Sequence, residues 1–375
     1  MNIRKLYFLF WKVIYFINYL KNNFLFIFKM RTSFLVSFLS LCVASASGSL
    51  FTRFQEWAKT HSIDISDSIK QSKIYSNWLS NDKYIEESNL KNLTYTLGHN
   101  AFSGYSTEEF SILLGFNSDK TKYSGLRGLI QGETNLSALP ALPASIDWRA
   151  KGVVNPVQNQ GQCGSCWAFS TIQAVESASA IKYGALHKLS EQELVDCDNL
   201  SNGGRDHGCN GGLMDNAFTW IGNYEGVCSE SAYPYSSGVT KTQGTCNKSK
   251  CTNVVHTDVI NYVDVQTNSD NAMMTALAQQ PVSVAIEADQ KDFQLYSTGV
   301  FTAVCGTNLD HGVGIVGYGT MSGIDYYILR NSWGTSWGVD GYMYLGRGND
   351  PATGKPYNSG AGQCGVLGQV SYPIV

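Results

Sequence analysis

The sequence has no block of lysine and arginine residues, and its 375 residues carry a formal net charge of only −3. Proteins that bind nucleic acid through its phosphates need a basic patch or stripe, so neither nucleic acid nor an anionic membrane surface is expected as a partner. The composition, 43% hydrophobic and 15% charged, is typical of a folded globular protein rather than a disordered one.

The ten cysteines also lack the spacing of a zinc site. Such a site would need two Cys-x-x-Cys knuckles, or one knuckle followed by a histidine pair, and neither pattern is present. We therefore expect no metal and no cofactor. In a secreted chain cysteines instead pair as disulfides. If Cys42 leaves with a signal peptide, an odd number remains, and at least one thiol stays free for chemistry.

The apolar run Phe34–Val43 is too short to span a bilayer comfortably as a mature helix. A basic start at Met30–Ser33 is followed by a short apolar core, Phe34–Val43, and by the small residues Ala44-Ser45-Ala46. This order predicts a signal peptide over residues 30–46, and hence the secretory pathway, with a lysosome, a vacuole or the medium as destination. Residues 1–29 are either an over-extended start or a signal anchor.

A change of composition divides the remaining chain. Residues 51–116 are polar and free of cysteine, with aromatic residues and isoleucines at the spacing of amphipathic helices. Residues 117–137 are predicted to be a flexible linker. From about Leu142 the chain becomes rich in Gly, Cys and aromatics. The sequence thus predicts a pro-region over 47–141 and a mature domain over 142–375.

Within the mature domain a helical half, about 142–251, precedes a β-rich half, about 252–375. Helices are predicted over 165–182 and 189–196, the second opened by Ser190 as N-cap, with Glu193 completing a capping box. Short strand-like runs follow at 282–286, 312–318, 326–329 and 342–345.

Cys166 is the best candidate for the free thiol. It lies at the first turn of an apolar helix, where the helix dipole and nearby N–H groups favour a thiolate. Gly164 and Ser165 leave room in front of the sulfur for a substrate backbone. The commoner fate of a secreted cysteine, a buried disulfide, is assigned to Cys163.

A thiolate nucleophile needs a base and a group that orients the base. Asp310-His311-Gly312 lies at the edge of a strand-like run, and Asn331-Ser332-Trp333-Gly334 follows another. His311 would face the thiolate as imidazolium and later protonate the leaving amine. Asn331 would hold the imidazole ring by a hydrogen bond, and Trp333 would shield that bond from water.

The mature part resembles the papain/cathepsin family of cysteine peptidases, and the cathepsin L-like subgroup in particular. The matching motifs are Gln160-Gly-Gln-Cys-Gly-Ser-Cys-Trp167, Asp147-Trp-Arg149, Ser190-Glu-Gln-Glu-Leu-Val-Asp-Cys197, Cys209-Asn-Gly-Gly212, Tyr233-Pro-Tyr235 and Ser371-Tyr-Pro373. The resemblance implies an α+β, papain-like two-domain fold, with an α-rich left domain and a β-barrel right domain. It also implies a monomeric thiol protease that cleaves polypeptides as an endopeptidase through an acyl-enzyme intermediate.

Further roles follow from the resemblance alone. Gln160 matches the glutamine of the oxyanion hole. The family's disulfides imply the pairs Cys163–Cys209, Cys197–Cys246 and Cys305–Cys364. Cys228 and Cys251 are left over and are expected to form a fourth pair, outside the common pattern.

Substrate contacts are carried over in the same way. The residues expected to line the cleft are Gly164, Gly211, Gly212, Leu213, Met214, Ala285, Leu309, Asp310, Trp333 and Gln369. Leu213, Met214, Ala285 and Leu309 imply an apolar S2 pocket with the neutral Gln369 at its foot. We expect Leu or Phe to be preferred over Arg at P2.

The pro-region matches the family more loosely. Asn81, Ile85 and Asn89 fit its long-helix pattern and Gly98–Phe102 a second motif, whose closing Asp is replaced here by Gly104. Intramolecular inhibition is expected, but acid-triggered release is not, because the charged residues that would titrate are missing. Sequons begin at Asn92, Asn135, Asn199 and Asn247 and make the chain a candidate glycoprotein. An inactive, substrate-binding homologue is the rival reading, but Cys166, His311, Asn331 and Gln160 are all present.

Overall fold

The structure is a computed structural model that describes residues 50–116, 129–130 and 142–375. The predicted signal peptide and the segment before it lie outside these residues. The chain divides into two compact units, Met1–Glu56 and Trp57–Val375. In the first, residues 50–56 are described and are helical. Among the described helices, none has both the length and the apolar character needed to cross a membrane.

The helices of the larger unit come mostly from the pro-region and the left half. They are α1 (Ser68–Asn89), α2 (Thr107–Ser111), α3 (Cys166–Tyr183), α4 (Glu191–Cys197), α5 (Met214–Asn223), α6 (Ser237–Thr240), α7 (Asp270–Leu277) and α8 (Lys291–Gln294). The predicted helix over 165–182 is therefore observed, shifted by a single residue.

Ten strands form one connected sheet, mostly from the right half. They are β1 (Tyr95–Leu97), β2 (Leu129–Ile130), β3 (Ile146–Asp147), β4 (Asn261–Asp264), β5 (Val282–Ile286), β6 (Tyr296–Phe301), β7 (His311–Met321), β8 (Ile324–Arg330), β9 (Tyr342–Gly346) and β10 (Val370–Ile374). The strand order is β1-β6-β9-β8-β7-β5-β10-β4-β2, and β3 pairs with β7. All four predicted strand runs fall on observed strands.

Each half has its own apolar core. The left-half core surrounds α3 and α5 and includes Trp167, Phe218 and Trp220. The right-half core lies on the sheet and also contains pro-region side chains, among them Phe102 and Phe110. The α-rich half and the β-rich half therefore form the two domains of a papain-like fold.

The two halves meet where α3 packs on β7. Ser170 of the helix donates its hydroxyl to the main-chain oxygen of Val313 at 2.7 Å. The strand carries glycine at the contact: a Cβ on Gly312 would lie 3.3 Å from the Trp167 Cα, and one on Gly314 only 2.5 Å from Gln173 Cδ. Glycine therefore allows the start of the helix to approach the strand closely, and this contact joins the two halves of the site.

Two details of the sequence prediction are wrong. Ser190 does cap α4 by accepting the Glu193 N–H at 3.0 Å, but the reciprocal half of the capping box is absent. The Glu193 carboxylate accepts the Cys228 N–H at 2.8 Å instead, because Ser190 N already donates to Cys228 O. In the predicted linker, Leu129–Ile130 is not coil but pairs in parallel with β4; the rest of the linker lies outside the described residues.

Candidate active site

Cys166 begins α3, with Ser165 as the preceding cap residue. Its side chain is completely buried, and Sγ accepts the main-chain N–H of Gly312 at 3.3 Å. The first residue of an apolar left-half helix therefore contacts the β7 strand of the right half. Gly312 directly follows His311, so the histidine and the thiol belong to the same small region.

His311 is held by the side chain of Asn331, which lies in the connection between β8 and β9. Its Nε2 is 2.9 Å from Asn331 Oδ1, and since an amide oxygen only accepts, Nε2 carries the proton. The other ring nitrogen, Nδ1, is buried and has no hydrogen-bond partner among the described residues. Trp333 stacks on the imidazole at 4.6 Å between centroids, with 23° between the planes. The ring is thus oriented, covered by Trp333, and left with one nitrogen for chemistry.

Gln160 lies beside Cys166 with both ends of its side-chain amide engaged. Oε1 accepts the Ser332 hydroxyl at 2.7 Å, which fixes the amide so that its NH₂ points the other way. Nε2 donates to Cys163 O at 2.9 Å and to Leu113 O at 3.0 Å. The second acceptor belongs to the pro-region, so a pro-region carbonyl is hydrogen-bonded to the Gln160 amide.

The pro-region segment Leu113–Phe116 runs through the cleft. Gly212 donates its N–H to Gly115 O at 3.1 Å, and Phe116 donates to Asp310 O at 2.9 Å. The fit against Gly164 is close, because a Cβ on Gly115 would lie only 1.9 Å from the Gly164 oxygen. Main-chain groups of the expected cleft residues therefore bind the pro-region main chain.

Burial favours the neutral forms of both Cys166 and His311. It raises the pKa of the Cys166 thiol to about 11, although N–H groups of Gly312 and Gly115 act in the opposite direction. It lowers the pKa of His311 to about 4, despite the bond to Asn331. Both shifts therefore disfavour the thiolate and imidazolium expected of an active peptidase.

Part of the expected S2 pocket surrounds a cavity of about 160 Å³. Its lining includes Leu213, Met214, Gln369 and the pro-region residue Phe116. Ala285 and Leu309 do not line it. Both pack in the same apolar cluster as Phe116, where Ala285 N donates to Gln369 O at 3.1 Å.

Other residues of this region were not expected from the sequence. Asp215, Asp264 and Gly368 also line the cavity. Ser332, which fixes the Gln160 amide, lies inside the Asn-Ser-Trp motif, so its proximity to Asn331 could have drawn attention to it. Tyr235 lies in the Tyr233-Pro-Tyr235 motif, but that motif does not indicate its hydrogen bonds with Gln160 and Ser165.

Cysteine geometry separates Cys166 from the rest. The structure joins Cys163 to Cys209, Cys197 to Cys246, Cys228 to Cys251 and Cys305 to Cys364. Among the described residues Cys166 alone has a free thiol. Glu193, Cys228 and Cys251 come close enough together to suggest a metal site, but the two sulfurs are bonded to each other.

Two family models match the chain, in the order that the sequence predicts. Residues 142–374 match the papain family of cysteine proteases. Residues 54–110 match the cathepsin propeptide inhibitor domain. The first match alone covers more than half of the chain.

Similar proteins agree with both matches. The thiol protease SEN102 of Hemerocallis sp. is 43% identical over 349 residues, 88% of each chain. The KDEL-tailed cysteine endopeptidase CEP2 of Arabidopsis thaliana is 42% identical over 87% of this chain and 86% of its own.

The structure of recombinant stem bromelain precursor matches with a TM-score of 0.76 and 34% identity, over 87% of this chain and 99% of that one. The proform of the ragweed pollen allergen Amb a 11 matches with a TM-score of 0.74 and 35% identity, over 87% and 94%. The chain therefore belongs to the papain family of cysteine proteases and carries a propeptide inhibitor domain ahead of its protease domain.

Proposed function

We propose that Cys166, His311, Asn331 and Gln160 form the catalytic set of this protease. The observation that carries the proposal is the arrangement of His311. Its Nε2 is bonded to Asn331, its Nδ1 has no partner within the part of the chain that the structure describes, and the N–H of the next residue, Gly312, contacts Cys166 Sγ. A histidine with one nitrogen oriented and the other open beside a free thiol is the arrangement that thiol activation requires.

The reaction follows from these positions. With the pro-region gone, the thiol proton moves to His311 Nδ1, and the Cys166 thiolate attacks the scissile carbonyl carbon. The resulting oxyanion accepts hydrogen bonds from Gln160 Nε2 and the Cys166 main-chain N–H. His311 then donates its proton to the leaving amine, which gives a thioester. Water, deprotonated by the same histidine, hydrolyses the thioester and returns the free thiol.

The decisive test is covalent labelling of the processed enzyme with a peptidyl epoxide that alkylates thiols. We expect stoichiometric labelling of the wild type at Cys166 and none in Cys166→Ala, whose peptidase activity should also fall by at least about 10³-fold because the covalent route is lost. The eight cysteines held in disulfides act as an internal control. Labelling that persists in Cys166→Ala would refute the assignment.

For specificity we propose that S2 prefers an apolar side chain. The support is that the pro-region places Phe116 against Leu213, Met214 and the neutral Gln369. An apolar pocket discriminates between side chains by about 10–200-fold, so a dipeptidyl fluorogenic substrate with Phe at P2 should exceed its Arg counterpart in kcat/KM by about 10-fold. Asp215 and Asp264 also line the cavity. If the substrate with Arg at P2 had the same kcat/KM as the one with Phe, these carboxylates would decide the specificity.

The remaining proposals concern maturation and location. We propose that the pro-region spans 47–141 and is removed, leaving a monomeric protease over 142–375 with halves at about 142–251 and 252–375. Four disulfides and the signal-like residues 30–46 support synthesis in the secretory pathway, followed by delivery to a lysosome or vacuole or by secretion. N-terminal sequencing of the purified natural protein tests the boundaries, and it separates residues 1–29 as a signal anchor from an untranslated start.

A further inference from the structure

The hydroxyl of Tyr235 lies between two residues of the proposed oxyanion hole. It donates to the main-chain oxygen of Gln160 at 2.8 Å and is 2.7 Å from the Ser165 hydroxyl. Gln160 supplies the side-chain donor, and the peptide after Ser165 carries the second donor, Cys166 N–H. One hydroxyl group therefore contacts the chain at both points from which the donors extend.

The number of available protons decides which group donates in each of these two hydrogen bonds. A tyrosine hydroxyl has a single hydrogen, and the Gln160 oxygen, a carbonyl, can only accept. The tyrosine proton therefore goes to Gln160, and Ser165 must donate its own proton to the Tyr235 oxygen. The only other acceptor recorded for Ser165 Oγ among the described residues is Cys163 O, at a weak 3.5 Å.

The Tyr235 ring and the loop after it are themselves held in place. The ring packs edge-on against Phe169 of α3, with 4.9 Å between centroids. Gln162 N donates to Gly238 O at 2.9 Å, and a Cβ on Gly161 would lie only 2.6 Å from that oxygen. The Tyr235–Gly238 segment thus packs tightly along the chain before Cys166, so the hydroxyl has little freedom to move.

We propose that the Tyr235 hydroxyl is a positioning group for the oxyanion hole, which ties Gln160 to Ser165 and so sets the spacing between the Gln160 amide and Cys166 N–H. Oxyanion stabilisation depends on donors preorganised at the position that the developing charge will occupy. Tyr235 itself does not touch the substrate. The inference rests on the proposed function, since it needs Gln160 and Cys166 to act as donors.

The test compares Tyr235→Phe with Tyr233→Phe in the precursor processed to its active form. Tyr233 is the matched control, because its hydroxyl also donates within the left half, to Asp196 Oδ2 at 2.9 Å, away from Gln160. Loss of a whole oxyanion donor typically costs about 10²–10³ in rate. Misplacement of a donor should cost less than its loss. We therefore expect Tyr235→Phe to lower kcat for a peptide amide about 10-fold, with KM little changed. Tyr233→Phe should leave kcat near the wild-type value.

Two further measurements separate positioning from general damage. Alkylation of Cys166 by iodoacetamide forms no oxyanion, so its rate should be unchanged in Tyr235→Phe. In a Gln160→Ala background the carbonyl that Tyr235 binds is still present but the amide donor is gone, so the penalty of Tyr235→Phe should shrink to about 2-fold by non-additivity. If Tyr235→Phe does not fold, Ser165→Ala, which removes the other half of the bridge, should show the same pattern with a smaller loss.

Three results would overturn the proposal: wild-type kcat in Tyr235→Phe, an equal penalty in both backgrounds, or alkylation that slows in parallel with hydrolysis. Failure of the proposed function gives a different result, because wild type itself would then neither hydrolyse the peptide nor be alkylated at Cys166.

Discussion

At the scale of single residues, one buried pair stands apart from the proposed catalytic groups. Asp198 and Asp206 are both almost fully buried, and the Oδ2 atom of each has no hydrogen-bond partner among the described residues. Their side chains lie within hydrogen-bonding reach of each other. Carboxylate oxygens only accept, so the two groups can bond only if they share a proton.

The electrostatics agree with a shared proton. Burial and the neighbouring Asp198 raise the pKa of Asp206 well above its usual value, and burial raises the pKa of Asp198 to about 6. Arg205, on the same loop, acts to lower the pKa of Asp198. Asp206 Oδ1 also accepts Leu213 N at 3.0 Å, so the pair is bonded to a residue expected to line the cleft.

We predict that the precursor loses stability as the pH rises from 5 to 8, and that Asp206→Asn flattens this dependence. The unfolded acids have ordinary pKa values near 4, so in this window the folded state holds a proton that the unfolded state does not. Stability is fully present below the unfolded pKa and falls by up to about 1.4 kcal/mol per pH unit for one proton. Urea unfolding at several pH values measures it. Glu225→Gln, an exposed acid, should keep the wild-type slope, and an unchanged slope in Asp206→Asn would contradict the shared proton.

The residues of the site differ in how far sequence could predict them. Cys166, His311 and Asn331 lie in short motifs that bear on chemistry directly, so their roles could be proposed before any coordinates. Tyr235 could not, because its importance depends on a bond to Gln160, 75 residues away. Ala285 and Leu309 show the same limit, since their motif matches could not indicate that they pack in the apolar cluster with Phe116.

At the scale of elements, periodicity predicted the long helix α3 and the strands well, because both bury a continuous apolar side. The two failures have a different cause. The Glu193 capping box and the Leu129–Ile130 strand both depend on partners distant in the chain, Cys228 and β4. Local pattern contains no information about such partners.

The element that blocks the cleft is the segment Leu113–Phe116, and its fit depends on Gly115. A Cβ there would lie 1.9 Å from Gly164 O and 2.3 Å from Gly164 C, both atoms of a main chain that cannot rotate away. Gly115→Ala must therefore displace the segment, and we predict that the intact precursor hydrolyses a small fluorogenic peptide at least about 10-fold faster than wild type. That factor corresponds to about 1.4 kcal/mol of lost pro-region binding, a modest value for a steric clash.

Initial rates must be measured before processing, with the precursor length checked on a gel. Ile112→Ala is the control, because Ile112 lies three residues before Gly115 and its side chain is 78% exposed. This variant should remain latent. If Gly115→Ala were as latent as wild type, the segment would have to be held elsewhere.

At the scale of the whole molecule, the pro-region is anchored on the right half by contacts outside the segment Leu113–Phe116. Strand β1 adds to the edge of β6, a form of edge pairing that supplies main-chain hydrogen bonds. Phe102 and Phe110 each pack edge-on against Trp333 at 5.2 Å. The tryptophan that covers His311 is thus also part of the docking surface, so latency and catalysis share one element.

Substitution of Asp292, on α8, can test the docking of the pro-region separately from catalysis. Its carboxylate accepts the hydroxyls of Tyr84, at 2.5 Å, and of Tyr95, both from the pro-region. Burial and this carboxylate raise the pKa of Tyr84 to about 12, so both phenols remain donors. Hydrogen bonds to a charged group contribute about 1.5–3 kcal/mol each. Asp292→Ala should therefore weaken inhibition by the pro-region more than 10-fold, measured as residual activity after the linker is cut.

Once the pro-region is removed, the same variant should match wild type in kcat/KM, because the contacts recorded for Asp292 lie in the pro-region and not among the proposed catalytic groups. Asp325→Ala is a suitable control, since Asp325 contacts Thr320 and Arg347 of the right half and should alter neither quantity. A parallel loss of mature activity in Asp292→Ala would mean that α8 supports the Trp333 and His311 stack itself. Docking and catalysis would then be properties of one packed aromatic cluster and could not be changed separately.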